Sequence, residues 1–217
     1  TSYTLLIQAN DCSVENLTIE NNAGRVGQAV ALHTEGDRIS VKNCKILGNQ
    51  DTLYLAKAGT RNYFENCFIN GTTDFIFGAA TVYFENCIIQ SLSNSYITAA
   101  STTSVDKYGF VFKGCKLIAK DPTVNKVFLG RPWRPFAKTV FINTEMGSHI
   151  VAEGWNPWKG DKQFPDKEKT TYYAEYSSKG EGAKDLTQRA SWSHQLKKSE
   201  LKKYTKDKVL NGWNTQL

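Results

Sequence analysis

Apolar positions along this chain fall in short alternating runs and not in the stripes of amphipathic helices. One unit recurs, apolar-x-Asn-Cys-x-apolar: Val41-Lys42-Asn43-Cys44-Lys45-Ile46, Phe64-Glu65-Asn66-Cys67-Phe68-Ile69 and Phe84-Glu85-Asn86-Cys87-Ile88-Ile89. With the Cys position as reference, further copies centre on Leu17, Cys115 and Thr144, giving spacings of 27, 23, 20, 28 and 29 residues. Each copy holds a short alternating strand, an Asn or Gly corner, and a second short strand rich in β-branched and aromatic residues. Periods of this length, repeated, are the signature of a solenoid in which each copy makes one turn. The unequal spacings place the variation in the turns, the longer of which can wall a groove. The pattern predicts an all-β chain coiled as a parallel β-helix.

Helical signals are confined to the end of the chain. Ser199-Glu200-Leu201 opens a predicted short helix to about Val209, with Leu201, Tyr204 and Lys208 on one face and Gly212 beyond its end. Its expected place is over an end or flank of the solenoid, where open strand edges need cover. Residues 159–195, with Gly160, Gly180 and Gly182 among mixed charges, read as an extended connection laid against the body. The 217 residues are read as a single domain. Leu5-Leu6-Ile7 already has the look of a strand inside a turn, so the expectation is that an N-terminal cap and the first turns are missing. The sequence opens Thr1-Ser2-Tyr3 with no basic n-region and no Met, so any secretory signal is expected to have been removed or to lie outside it, and localisation is not legible at this terminus.

Equal offsets single out two acids. Asp51 follows Cys44 by 7 residues, and Asp74 follows Cys67 by 7. In a stacked solenoid, equal offsets set the two side chains one above the other at the strand spacing of about 4.8 Å. Two carboxylates so close are costly unless they do chemistry.

Composition narrows the partners. The net charge is +6, but residues 159–217 carry 13 Lys and Arg against 8 Asp and Glu, so most of the excess lies in the tail. The repeat body has no basic stripe of the kind that follows phosphates, and a nucleic-acid partner is not expected. A cationic protein can still draw in a polyanion by long-range steering. No apolar run approaches the ~18 residues of a membrane span, so no membrane partner is expected. Five cysteines, four of them at one repeat position (Cys44, Cys67, Cys87, Cys115), read as a ladder of buried thiols, with no C-x-x-C pair to suggest a metal. His33, His149 and His194 are scattered and read as structural; Trp155 and Trp158 could line a groove or pack, with core the preferred reading.

Four strings place polar groups inside apolar strand sequence: Gln28-Ala29-Val30-Ala31-Leu32, Gln50-Asp51-Thr52-Leu53, Asp74-Phe75-Ile76-Phe77-Gly78 and Leu129-Gly130-Arg131-Pro132-Trp133. Together, and with Gly154-Trp155 and Tyr173-Ala174-Glu175-Tyr176 downstream, they resemble the pectin methylesterase (pectinesterase) family over nearly the whole chain. The resemblance implies a right-handed parallel β-helix that hydrolyses methyl esters of galacturonate in pectin without metal or organic cofactor. It implies Asp74 as nucleophile, Asp51 as general acid and base, Gln28 and Gln50 as oxyanion donors, Arg131 as partner of Asp74, and Phe77 and Trp133 as sugar contacts. From the substrate, it also implies a secreted, periplasmic or cell-surface protein, expected to be monomeric. The family's usual N-terminal helix and early strands are absent, and the stretch from Asp74 to Arg131 is shorter than in plant members.

The chemistry of the residues is consistent with those roles. A like charge raises the pKa of one carboxyl while a guanidinium keeps the other ionised, yielding one acid and one nucleophile. Neutral amides can stabilise a growing oxyanion. Two other classes stay open on sequence: a pectin-cleaving glycosidase or lyase on the same fold, since carboxyls about 5 Å apart also suit retaining glycosidases, and a non-catalytic carbohydrate-binding solenoid.

Overall fold

A computed structural model of the chain describes residues 3–215. The described backbone coils as a right-handed parallel β-helix, its first six turns each contributing one strand to each of three sheets and two further strands extending the second. The first sheet runs Tyr3–Ile7, Val30–Thr34, Leu53–Leu55, Ile76–Gly78, Tyr96–Ala100 and Phe128–Gly130. The second holds Ser13–Glu15, Ile39–Lys42, Arg61–Glu65, Thr81–Glu85, Phe110–Lys113, Lys138–Ile142, Tyr172–Tyr176 and His194–Gln195. The third holds Thr18–Glu20, Lys45–Leu47, Phe68–Gly71, Ile88–Ser91, Lys116–Ala119 and Glu145–Met146.

The Asn-Cys unit is the corner between the second and third sheets. Asn16, Asn43, Asn66, Asn86 and Asn143 all adopt left-handed backbone, φ between 51° and 58°. Asn enters this region at lower cost than other side chains because its amide can bond locally. In the fifth copy the slot is filled by Gly114, φ 65°, where an added Cβ would lie 2.7 Å from the Asn86 side-chain oxygen. One residue on, Cys44, Cys67, Cys87 and Cys115 turn inward as buried free thiols, each donating to backbone carbonyls.

Register converts the repeat into columns. Val41, Phe64, Phe84, Phe112 and Phe141 pair in sequence across the second sheet. The rings Phe64–Phe84, Phe84–Phe112 and Phe112–Phe141 stack with centroids 5.0, 4.4 and 4.5 Å apart, each pair adding roughly 1 kcal/mol beyond area burial. The next position in this column is Glu175, paired with Phe141 and wholly buried. Arg189 neutralises it: Nε donates to Glu175 Oε1 at 2.8 Å, while the other guanidinium nitrogens donate to the carbonyls of Ala152 and Gly182. An ion pair thus closes one end of the core.

Two expectations are corrected. Residues 159–195 are not an extended connection: they contain the full strand Tyr172–Tyr176, paired with Lys138–Ile142, the short strand His194–Gln195 and three 3₁₀ turns. The alternation Tyr173-Ala174-Glu175 carried that strand, and the surrounding glycines and charges masked it. The predicted helix from Ser199 to Val209 is broken in two, a 3₁₀ segment Lys198–Lys203 and a single α-turn Lys206–Val209. Thr205 is extended and restarts the helix, its Oγ1 accepting from the Lys208 N–H at 3.3 Å. Leu201 and Tyr204 pack as expected, whereas Lys208 is solvent-exposed. The segment covers the flank of the second sheet, where Tyr63, Tyr83, Val111 and Val140 face outward beneath Val209 and Leu210.

Replacing Arg189 by Met should leave the Glu175 carboxylate buried and uncompensated. A loss of about 3–5 kcal/mol in denaturant unfolding is expected, against less than half that for Glu175→Gln with Arg189→Met together.

Candidate active site

The third-to-first sheet corner builds the site. Leu53 pairs with Ile76 and Tyr54 with Phe77, so two residues earlier Asp51 and Asp74 stand side by side in adjacent turns, about 4.8 Å apart by strand spacing. Both occupy left-handed backbone, φ 65° and 50°, and the Asp51 N–H donates to the Thr73 carbonyl of the next turn at 3.1 Å. That conformation lifts each carboxyl out of the corner onto the outer face of the first sheet. Gln28 and Gln50 form the neighbouring parallel bridge. Gly78, φ 125°, lets the chain pass the Leu55 carbonyl, which an added Cβ would approach to 2.0 Å.

Arg131 reaches the acids from the end of the strand Phe128–Gly130. Its Nε donates to Asp74 Oδ1 at 3.0 Å and its Nη2 to Oδ2 at 2.7 Å, a bidentate fork. The guanidinium lies between two rings, 3.9 Å from the Tyr96 centroid and 3.6 Å from that of Trp158. Beside it, Phe77 stacks on Tyr54 at 4.3 Å with an interplanar angle of 2°, and Trp133 meets Phe77 edge-on at 5.7 Å. A cleft of about 230 Å³ is lined by Gln28, Gln50, Asp51, Asp74, Phe77, Ala99, Arg131, Trp133 and Trp158.

The two carboxyls titrate differently. Burial pushes Asp51 up, the Asp74 charge adds to it, and Arg131 and the Gln28 amide only partly offset them, leaving its pKa at about 7. Burial also raises Asp74, and the Arg131 fork and the charge of Lys167 offset that rise only in part. Of the pair, Asp74 ionises first, and Asp51 keeps its proton until near neutrality.

All seven residues singled out in the sequence meet in this one cleft. The strings missed Tyr96, Tyr54 and Lys167, and left Trp158 undecided. Tyr54 was within reach of the alternation that places Leu53 and Leu55 inward. Trp155 is core, packed on Phe141 and Tyr173, whereas Trp158 faces the cleft, so the preferred core reading fails for Trp158. Lys167 carried no sequence signal. None of the three histidines lines the cleft: His33 stacks on Tyr54 at 4.5 Å, His149 is buried with its pKa pushed down to about 4, and His194 stacks on Tyr172. Among the described residues no cluster of three His, Cys, Asp or Glu is arranged to hold a metal ion, and no helix is long and apolar enough to cross a membrane.

The described residues thus define a parallel β-helix whose outer sheet presents two aspartates, an arginine fork, two glutamines and an aromatic wall to one cleft. The family model described as Pectinesterase matches residues 1–213, and the chain belongs to that family. It is 42% identical over 214 residues to putative pectinesterase 11 of Arabidopsis thaliana, covering 97% of this chain and 58% of the relative. With probable pectinesterase A of Neosartorya fischeri it shares 36% identity over 186 residues, 84% of this chain and 54% of that one. The chain therefore spans little more than half the length of these curated relatives. Among solved structures, pectin methylesterase PemA from Erwinia chrysanthemi superposes with a TM-score of 0.87 at 32% identity, covering 99% of this chain and 74% of that one. Pectin methylesterase from carrot gives 0.86 at 30%, covering 97% and 69%.

The raised Asp51 has a stability consequence with a definite sign. Between about pH 4 and 7 the folded chain holds a proton that the unfolded chain releases, so the protonated carboxyl's contribution is lost as pH rises through that window. Asp51→Asn, which tolerates the left-handed backbone, should be more stable than the parent by on the order of 2 kcal/mol at pH 8. The gap should close near pH 4 in paired thermal melts.

Proposed function

We propose that this chain is a pectin methylesterase: a carboxylic ester hydrolase that removes methyl esters from galacturonate units of pectin, releasing methanol and leaving a carboxylate. The observation that carries the reading is the Arg131 fork on Asp74 beside a protonated Asp51. The guanidinium aims one Asp74 oxygen and keeps it anionic, as a nucleophile requires. Attack on the ester carbonyl moves charge onto its oxygen, where the amides of Gln28 and Gln50 are the available donors. Asp51 gives its proton to the departing methanol. It then takes one from the water that cleaves the acyl-enzyme, which restores both carboxyls.

Family membership supports the substrate. Two of the similar solved structures are pectin methylesterases described in complex with hexasaccharides, at TM-scores of 0.83 and 32% and 31% identity. Phe77 and Trp133 offer apolar faces to a pyranose ring in the cleft. Pectin is a wall polymer, which supports a location outside the cell, and the reading is of one domain acting as a monomer without a cofactor. Gln and Arg around a nucleophilic carboxylate favour acyl transfer over glycosidic cleavage.

Methanol release from highly methylated pectin tests the reading. Asp74→Asn and Asp51→Asn should each lose at least about 10³-fold in kcat with melting intact, and new reducing ends should not form. Equal rates in all three proteins would end it.

Because the first half-reaction needs Asp51 protonated, kcat/KM should fall about tenfold per pH unit above about 7. Initial rates from pH 5 to 9 check this. A rate still climbing at pH 9 would remove the acid role from Asp51.

A further inference from the structure

Lys167 is the least expected charge in the molecule. Its side chain is wholly shielded from solvent, although it sits in a 3₁₀ turn, Lys167–Lys169, within a segment otherwise rich in exposed lysines. An ammonium so placed is costly unless it is paired. Its one carboxylate is Asp161, at 2.6 Å, itself 19% exposed. The remaining neighbours belong to the cleft: the ammonium lies 4.4 Å from the Trp158 ring centroid and donates to the Trp133 carbonyl at 3.4 Å.

The geometry forms a continuous stack. Arg131 and Lys167 each lie against the Trp158 ring, at 3.6 and 4.4 Å, and Tyr96 lies on Arg131 at 3.9 Å, itself stacked on Phe128. Trp158 holds an unfavourable left-handed backbone, φ 53°, while its N–H donates to Asn156 Oδ1 at 2.8 Å. A bulky residue in that region persists only when its surroundings over-determine it. A cation–π contact is strongest when stripped of water, and Lys167 supplies one from the face of the loop away from solvent. A turn held together only by its backbone would not need the ammonium. The Lys167 carbonyl already accepts from the N–H groups of Thr170 and Thr171 and from both of their hydroxyls.

We propose that Lys167 is a positioning residue: its ammonium, tied to Asp161 and to the Trp133 carbonyl, pins the Trp158 indole on the Arg131 guanidinium and thereby fixes the arginine fork on Asp74. Lys167 does not touch substrate; it acts through Trp158. The inference deepens the esterase reading and rests on it for its kinetic consequence. Its structural consequence stands apart, in how firmly Arg131 is held. A loosened fork mis-aims the nucleophile, a loss felt in kcat more than in KM, because the sugar contacts Phe77 and Trp133 remain.

The test compares Lys167→Met, the double variant Lys167→Met with Asp161→Asn, which leaves no unpaired carboxylate, and Lys167→Arg, which keeps the charge. Two readouts are taken: methanol release from methylated pectin, and hydrogen exchange of the Arg131 Nε–H by NMR, which needs no activity. Both Met variants should lose 10- to 100-fold in kcat with KM changed less than threefold. Their Nε–H exchange should speed at least tenfold while backbone amides of the second sheet stay protected, and Lys167→Arg should recover most of both. In Trp158→Ala, adding Lys167→Met should not speed the Nε–H exchange further. Unchanged Nε–H exchange in a folded double variant, or equal effects with and without Trp158, would overturn the proposal. A parent protein without methanol release would count against the esterase reading alone, since the exchange arm still decides the role of Lys167.

Discussion

The hydrogen-bonded register between successive turns is the constraint on which the rest of this structure depends. Each strand pairs only with the strands one turn before and after it, so a residue's neighbours are set by the period of the repeat. Columns follow: valine and phenylalanine in the second sheet, thiols at the corner, and carboxyls at the opposite corner. A column of like apolar groups gains at every step. A column of like charges loses at every step, and this chain confines its acids to two adjacent turns, flanked on the Asp51 side by Ala29, whose N–H donates to the Gln50 carbonyl.

The same logic explains how the ends of the columns are finished. The aromatic column cannot continue past Phe141 without another ring, and Glu175 takes the slot. A buried carboxylate there is sustainable because Arg189, folded back from the following segment, spends its remaining donors on carbonyls that lack strand partners. The family string Tyr173-Ala174-Glu175-Tyr176 is therefore architectural. It closes the core, with Tyr173 inward, Ala174 beneath the C-terminal flank and Glu175 on Arg189.

Much of this was legible before any coordinates, for one reason: in a solenoid, spacing in sequence becomes proximity in space. The equal seven-residue offsets from Cys44 and Cys67 brought Asp51 and Asp74 together, whereas Phe77 and Trp133 came from the family resemblance and not from spacing. What escaped lay outside the repeat. The strand at Tyr172 is separated from its partner at Lys138 by a long excursion, so no offset announced it. Lys167 and Trp158 reach the site from that excursion, where contacts are fixed by a turn and a buried ion pair and not by period. The C-terminal helix failed for a local reason. Thr205 is a better N-cap than an interior helical residue, and its capping bond to Lys208 competes with continuation through Tyr204.

Two aspartates equivalent by repeat become unequal by order in the chain. Their backbones match, both left-handed at a shared corner and adjacent in one register. Their surroundings cannot match, because a coil has a before and an after. Asp51 receives Gln28, a neutral amide from the preceding turn, and the negative charge of Asp74 from the following one. Asp74 receives Arg131, a cation carried in at the end of a strand two places further along the first sheet. Burial and the negative neighbour hold Asp51 in its protonated form, with the Gln28 amide offsetting them only in part; a forked cation favours the Asp74 anion. The split between a protonated and an ionised carboxyl is thus a consequence of stacking direction, and the loop bearing Trp158 and Lys167 extends it by adding its own cation on the Asp74 side alone.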